Sequence, residues 1–345
     1  MTAGRMVRKA TLLAAVPALL ACVLGDFFST SRADVQDLDS YYAPPTRIRF
    51  IDNQGRFHLR PFVYAYELVD PLQAAYRERS DVPYPLEFFA PGYAYRLFGL
   101  FPASLHFVSA PGTRFFIWGA DELGRDVFAR TIAGAQTSMI MVALGVAACA
   151  ILGLAVGACA ALAGGMTEAA LMRLSEFTLA LPALYLILAL RAVLPPRMRF
   201  WETSLVLVGT IAAVAWPPLA LAVRGRLLQL RSAAFVEAAV SIGCSKWRVF
   251  RRHMLPGLGP LVLSQSVLAA PIFLLGEVIL SFLEIGFGES ATSWGSMLRG
   301  LRDPRVLTDF WWNLAPLGFV FLTLLCLNML GREQDQKSAS RSYLG

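Results

Sequence analysis

Charge is the scarcest thing in this chain. Of its 345 residues only 16% are Asp, Glu, Lys or Arg, against about 25% in soluble domains. Lysine occurs three times, at positions 9, 246 and 337, and none of the three follows a glycine. The phosphate-binding pattern G-x-x-x-x-G-K-[ST] is therefore absent, and the chain has no nucleotide engine of this kind. Histidine also occurs three times, at 58, 106 and 253, with no spacing that places two on one helix face as metal ligands. No G-x-S-x-G elbow offers a nucleophile. The five cysteines form no C-x-x-C pair, and Cys22, Cys149, Cys159 and Cys326 lie in apolar runs where a thiol behaves as a small hydrophobe. An enzyme has no residues to stand on; neither a metal nor a nucleic-acid partner is expected.

What fills the space left by charge is oil. Thr131 to Thr167, Thr203 to Val223, His253 to Gly276 and Phe310 to Gly331 contain no Asp, Glu, Lys or Arg. A bilayer core of about 30 Å needs about 20 apolar helical residues, so each run is long enough to cross. Leu174 to Leu194 is a weaker span, with Glu176 and Arg191 near its ends where a long side chain can snorkel. Residues 10–28 form another, preceded by Arg5, Arg8 and Lys9. It resembles a signal peptide, but no small-x-small cleavage pattern follows and Phe27 and Phe28 extend it, so it reads as an uncleaved anchor. The expected fold is an all-α membrane protein of six transmembrane helices.

Six spans put both termini on one side. The short loops and ends on that side carry fourteen Lys and Arg, the opposite short loops six. The positive-inside rule then places both termini in the cytoplasm. The expected order is a cytoplasmic N-terminus (1–9), the first span (10–28), an outer segment (29–130), a five-helix core (131–331) with a cytoplasmic loop at 224–256, and a cytoplasmic tail (332–345). Within the outer segment, "RIRFIDNQGRFHLRPFVYAY" alternates apolar and polar residues around a turn and predicts a β-hairpin. "PYPLEFFAPGYAYRLFGLFP", rich in proline and aromatics, reads as a packed irregular surface.

The loop at 224–256 concentrates the basic residues. It reads as helix, break at Gly243, helix, with Ser245 as N-cap and Pro256 marking the return to the membrane. In the second helix Trp247, Phe250 and Met254 share a face by spacing, while Arg248 and Arg252 point elsewhere. Such a helix either lies on anionic headgroups or docks in a groove of a partner protein.

Several motifs resemble permease subunits of binding-protein-dependent ABC transporters. Glu237, Ala238, Ala239, Gly243, Leu255 and Pro256 fill the family's E-A-A, three residues, Gly, downstream L-P signature. "RRHMLP" is similar to the dipeptide/oligopeptide/nickel branch. "WGADELGRDVFARTIAGAQTS", "GGMTEAALMRLSEFTLALP" and "SFLEIGFGESATSWGSML" resemble further segments of it, with Glu284 standing where that pattern has Gly. The resemblance covers about Ile117 to Gly331; the outer segment is longer than the family leads one to expect, and "LGREQDQ" departs from its usual tail. It implies that the loop is a coupling helix seated on an ATPase, with Trp247 and Phe250 added to the docking set. It also implies a homologous permease partner, two ATPase subunits carrying ATP and Mg, an outer solute-binding protein, membrane lipid around the spans, and a bacterial inner-membrane location. No cofactor is expected on this chain itself, and the cargo implied is a peptide or similar small solute.

Two further groups carry open alternatives. Glu277 lies well inside the fifth span, where an acid costs about 2.5–3.5 kcal/mol. It either lines a substrate or ion path or makes an interhelical polar contact. An ion-coupled secondary transporter using Glu277, with helices broken at Pro182 and Pro217-Pro218, is the rival to the permease reading. Asp121, Gly124, Arg125 and Asp126 precede the second span. With Leu123, Val127, Phe128 and Ile132 as an apolar stripe they predict an amphipathic helix at the outer interface, either pairing locally or touching a partner.

Overall fold

The computed structural model describes residues 24–97, 101–182, 185, 189, 199–284, 286 and 291–342. They divide into two compact units, Met1–Met139 with Val278–Thr323 and Ile140–Glu277 with Leu324–Gly345.

In the first unit the predicted hairpin is present. Strand β1 (Arg49–Ile51) pairs antiparallel with β2 (Phe57–Asp70), which pairs in turn with β3 (Ala75–Pro85). Asp52 closes the β1–β2 turn: its carboxylate accepts from the backbone N–H of Gln54 and Arg56, from the Arg56 guanidinium and from His58. These donors hold it well below the ordinary carboxylate range, the His58 contact first among them. The proline-aromatic stretch is not irregular. It forms the end of β3, then β4 (Glu87–Leu97), and β5 (Phe101–Ser109) pairs with β4 alone. Proline removes a ladder donor, but a terminal strand or a two-stranded sheet has free edges where the missing N–H breaks no pairing. Val63, Leu86, Val108, Ala110 and Phe115 make the buried core of this region.

The chain enters its long helices at Val127. Helix α1 (Val127–Ala163) spans 37 residues, about 55 Å at 1.5 Å per residue and thus longer than a bilayer core requires. Gly164 and Gly165, both with positive φ, break it before α2 (Gly165–Ala180). The expected span from Leu174 to Leu194 is interrupted, because Leu181 is extended ahead of Pro182, as proline demands of the preceding residue. Most of its second half, and residues 1–23 of the expected first span, lie outside the described residues; residues 24–28 are helical.

The expected span over 203–223 is bent. Helix α3 (Phe200–Ala215) meets α4 (Pro217–Arg231) at 49°, with Pro217 opening the second helix. Then come α5 (Ala234–Ser241), α6 (Lys246–Val249), a π-turn (Phe250–Met254), a 3-10 turn (Pro256–Leu258) and α7 (Gly259–Phe282). The short helices α8 (Trp294–Leu298) and α9 (Pro304–Thr308) precede α10 (Ala315–Ser342). Among the described residues three stretches, Val127–Ala163, Pro256–Phe282 and Trp311–Gly331, are long and apolar enough to cross a membrane, and the bent α3–α4 pair makes up to four.

Within the second unit α1 meets α4 through Gly153 and Gly157. A Cβ on Gly157 would stand 2.5 Å from the Ala220 carbonyl oxygen, and one on Gly153 would meet Leu219 at 2.8 Å. This is the small-x-x-x-small device by which helix backbones approach closely in lipid.

Candidate functional site

The basic loop is built on an apolar floor. Leu227 and Leu230 of α4, Val236 and Ala239 of α5, Val249 of α6, and Phe250, Met254 and Leu258 bury together against Ala158 and Ala161 of α1. Helix α5 ends in a Schellman closure: Gly243 N–H donates to the Val240 carbonyl at 2.9 Å and Cys244 N–H to that of Ala239 at 3.1 Å. Gly243 sits at φ +84, in the left-handed region that a side chain resists. The chain therefore turns sharply and starts α6, where Ser245 caps weakly by accepting from Arg248 N–H at 3.4 Å.

What this joint leaves outside is unusual. Phe235, Val240, Ile242 and Trp247 are exposed, Ile242 at 80% and Trp247 at 65%. Glu237 and Ala238 stand beside them on α5. Arg248, Arg251 and Arg252 are exposed as well, and among the described residues none of them has an acidic partner within salt-bridge distance. A cavity of about 470 Å³ opens next to Glu237, Val240, Ser241 and Cys244.

The predicted site residues divide in two. Glu237, Ala238, Gly243, Trp247 and Pro256 are at the surface, while Ala239 and Phe250 are buried and Leu255 is half-buried against the floor. The Trp247 ring lies 5.6 Å from that of Phe250, as the spacing suggested, but Trp247 is exposed while Phe250 and Met254 are buried. A π-turn, closed by Leu255 N–H on the Phe250 carbonyl at 2.8 Å, follows from Phe250 to Met254. The sequence reading missed Phe235, Val240 and Ile242. An eight-residue helix that is apolar on both faces is the signal for them, since only one face can be the floor.

Asp121, Gly124, Arg125 and Asp126 do not form an amphipathic helix. They make a tight loop closed by an Ala120–Asp126 bridge, because the two carboxylates capture the backbone N–H groups a helix would need. Asp121 accepts from Leu123 and Arg125 N–H at 2.9 and 3.0 Å and from the Arg125 and Arg130 side chains. Gly124 has φ +68. Asp126 caps α1, accepting from Phe128 and Ala129 N–H, while its second oxygen takes the hydroxyls of Thr30 at 2.8 Å and Ser31 at 3.0 Å. Burial raises the Asp126 carboxyl pKa, and these hydrogen bonds oppose the shift. The loop is tied to the rest of its unit by Trp312, whose indole N–H donates to the Ala120 carbonyl, and Trp294 does the same for Thr131. All four charged side chains here are buried, so the cluster pairs locally. Glu277, 1% exposed in α7, is likewise buried and is engaged in a polar interaction.

Long apolar helices and an interrupted basic joint with exposed apolar side chains mark an integral membrane protein. Comparison with known proteins agrees. Residues 150–332 match the family described as binding-protein-dependent transport system inner membrane component, and the chain belongs to that family. It is 35% identical to a putative peptide permease protein of Brucella ovis over 65% of this chain and 72% of that protein. It is 32% identical to the dipeptide transport system permease protein of Bacillus subtilis over 62% of this chain and 65% of that one. With the oligopeptide transport system permease protein of Haemophilus influenzae it shares 32% identity over 64% and 68%. The chain is thus a transmembrane permease subunit of a binding-protein-dependent ABC transport system and a multi-pass inner-membrane protein, and its relatives are permease subunits.

Proposed function

We propose that this permease forms the translocation path of an ATP-driven importer for a peptide or similar small solute delivered by an outer binding protein. It has six spans with both termini in the cytoplasm, and pairs with a homologous permease and two ATPase subunits that hold ATP and Mg; this chain binds no cofactor. The peptide cargo is supported by the names of its relatives. One observation carries the coupling role: the Schellman-closed joint at Gly243 displays Phe235, Val240, Ile242 and Trp247 beside three arginines on a packed floor. Apolar anchors rimmed by positive charge that has no acidic partner among the described residues suit a cleft in a partner protein. Closure of the ATPases on nucleotide would then move α5 and α6 as one body with α4, because Leu227, Val236 and Phe250 share a core.

Co-purification with the ATPase subunits and uptake by reconstituted vesicles test this. Trp247→Ala and Ile242→Ser should lower ATPase retention and ATP-dependent uptake together while the protein remains folded. Solute uptake by the chain alone on an ion gradient, without ATP, would overturn the proposal in favour of the ion-coupled reading through Glu277.

A further inference from the structure

The β4–β5 hairpin presents an apolar face for which the described residues of its own unit provide no cover. Phe101 and Leu105 are exposed on one face of β5, where Phe107 is only partly covered; on β4 Phe89 is exposed as well, while its neighbour Phe88 pairs with Val108 and belongs to the other face. From Leu97 to Thr113 the sequence has no charged residue, whereas β3 carries Arg77, Glu78, Arg79 and Asp81 in five positions. A two-stranded hairpin with an exposed aromatic face is marginal in water, and an apolar patch of this kind marks an interaction surface.

Ring contacts join this face to the short helical stretch at 24–28. The Phe107 ring is 6.1 Å from Phe27, 5.5 Å from Phe28 and 5.7 Å from Phe89, and Phe27 and Phe28 follow the uncharged stretch from Ala10 to Gly25 after the single acid Asp26. On the opposite face of β5, buried His106 places Nδ1 2.9 Å from the Ser29 carbonyl and Nε2 3.0 Å from that of Tyr93. Thr30 and Ser31 bond the Asp126 cap of α1, and Gly25 lies so close to Ile132 that no Cβ fits between them. The end of the first apolar stretch and the start of α1 thus stand side by side, and the aromatic face continues from them.

We propose that the Phe89, Phe101, Leu105 and Phe107 face of the hairpin lies in the interfacial layer of the bilayer, with lipid as its partner. The inference rests on the membrane-permease reading. An apolar face of Phe and Leu lying on a bilayer buries into the headgroup/acyl boundary, and continuity with two apolar segments selects lipid over a protein groove. The hairpin then pins the outer segment to the membrane, and His106 passes that anchorage to Ser29 and the α1 cap.

The test places nitroxide labels at Phe101→Cys and Leu105→Cys in a chain otherwise free of cysteine, assembled with its partners in phospholipid nanodiscs. Oxygen should reach both labels severalfold better than an aqueous nickel chelate, with the reverse at Arg79→Cys in β3. Nickel access at 101 and 105, or collision with neither reagent, would sink the proposal, the second outcome because it means a protein covers the face. A label at Ile151→Cys, exposed on α1, must favour oxygen; if it favours nickel, the membrane reading itself fails. In the chain with native cysteines, a benzophenone amino acid at position 101 should yield a phospholipid adduct by mass spectrometry. A peptide adduct overturns the inference.

Discussion

At the scale of single residues, two glycines with the same backbone sign do different work. Gly243 has φ +84 and open space around the position of a Cβ, whereas Gly124 has φ +68 and would drive a Cβ to 1.8 Å from the Asp37 carbonyl oxygen. Alanine at 243 therefore meets only the left-handed penalty of about 1–2 kcal/mol. Alanine at 124 must also displace backbone and break the Asp37 N–H bond to the Leu123 carbonyl. Thermal unfolding of the detergent-solubilised protein should show Gly124→Ala losing clearly more than Gly243→Ala; equal losses would mean the loop relaxes freely. Glu284 is the converse case. Its motif resembles one with glycine at this place, and Glu284 indeed sits at φ +63. Its ion pair with Arg302, 2.8 Å but half in solvent, offsets the strain only in part, since exposed pairs are worth about 0–1 kcal/mol. Glu284→Gly should thus raise the unfolding temperature slightly, by up to about 1 kcal/mol in stability, and a lowered temperature would show that the pair outweighs the strain.

At the scale of elements, what was legible depended on whether the signal was local. The helix-break-helix of the joint could be read because Gly243, Ser245 and Pro256 each act on their own backbone. The hairpin at 49–70 could be read from alternation around its turn. The loop at 121–126 could not: its apolar spacing is helical, and only the capture of backbone N–H groups by Asp121 and Asp126 decides against helix. The strands at 75–97 were hidden because proline argues against strand unless the strand has a free edge, which is a property of the sheet. The bend in α3–α4 and the close approach of α4 to α1 are also tertiary, although Gly153 and Gly157 four apart in an apolar run are a readable cue. Substituting Gly157→Val would place methyl groups where the Ala220 carbonyl and Val223 now stand. The expected result is a protein that inserts in the membrane but is markedly less stable and more readily proteolysed between α1 and α4. Unchanged stability would mean that the two helices separate at little cost.

At the scale of the whole molecule, the family was legible because its motifs are short and lie on the joint and the spans. The surface proposed to meet a partner was legible only in part, because burial divides Trp247 from Phe250 despite their shared face and the exposed apolar residues of α5 belong to no motif. This separation sets the last prediction. Arg248, Arg251 and Arg252 stand outside the packed floor, so charge reversal there should cost the isolated permease no more than about 0.5 kcal/mol. The same charges facing an acidic cleft would steer and hold the ATPase, and such attraction weakens as salt rises. Arg248→Glu with Arg252→Glu should therefore leave unfolding temperature unchanged while ATPase retention on size exclusion falls at low ionic strength. High salt should diminish retention of the unaltered permease toward that of the variant. Phe250→Ala, in the floor, should do the opposite, lowering stability by several kcal/mol and losing retention only as the joint loosens. Retention that survives charge reversal at low salt would show that Phe235, Ile242 and Trp247 hold the partner without the arginines, and equal losses of stability in both variants would remove the distinction between floor and surface.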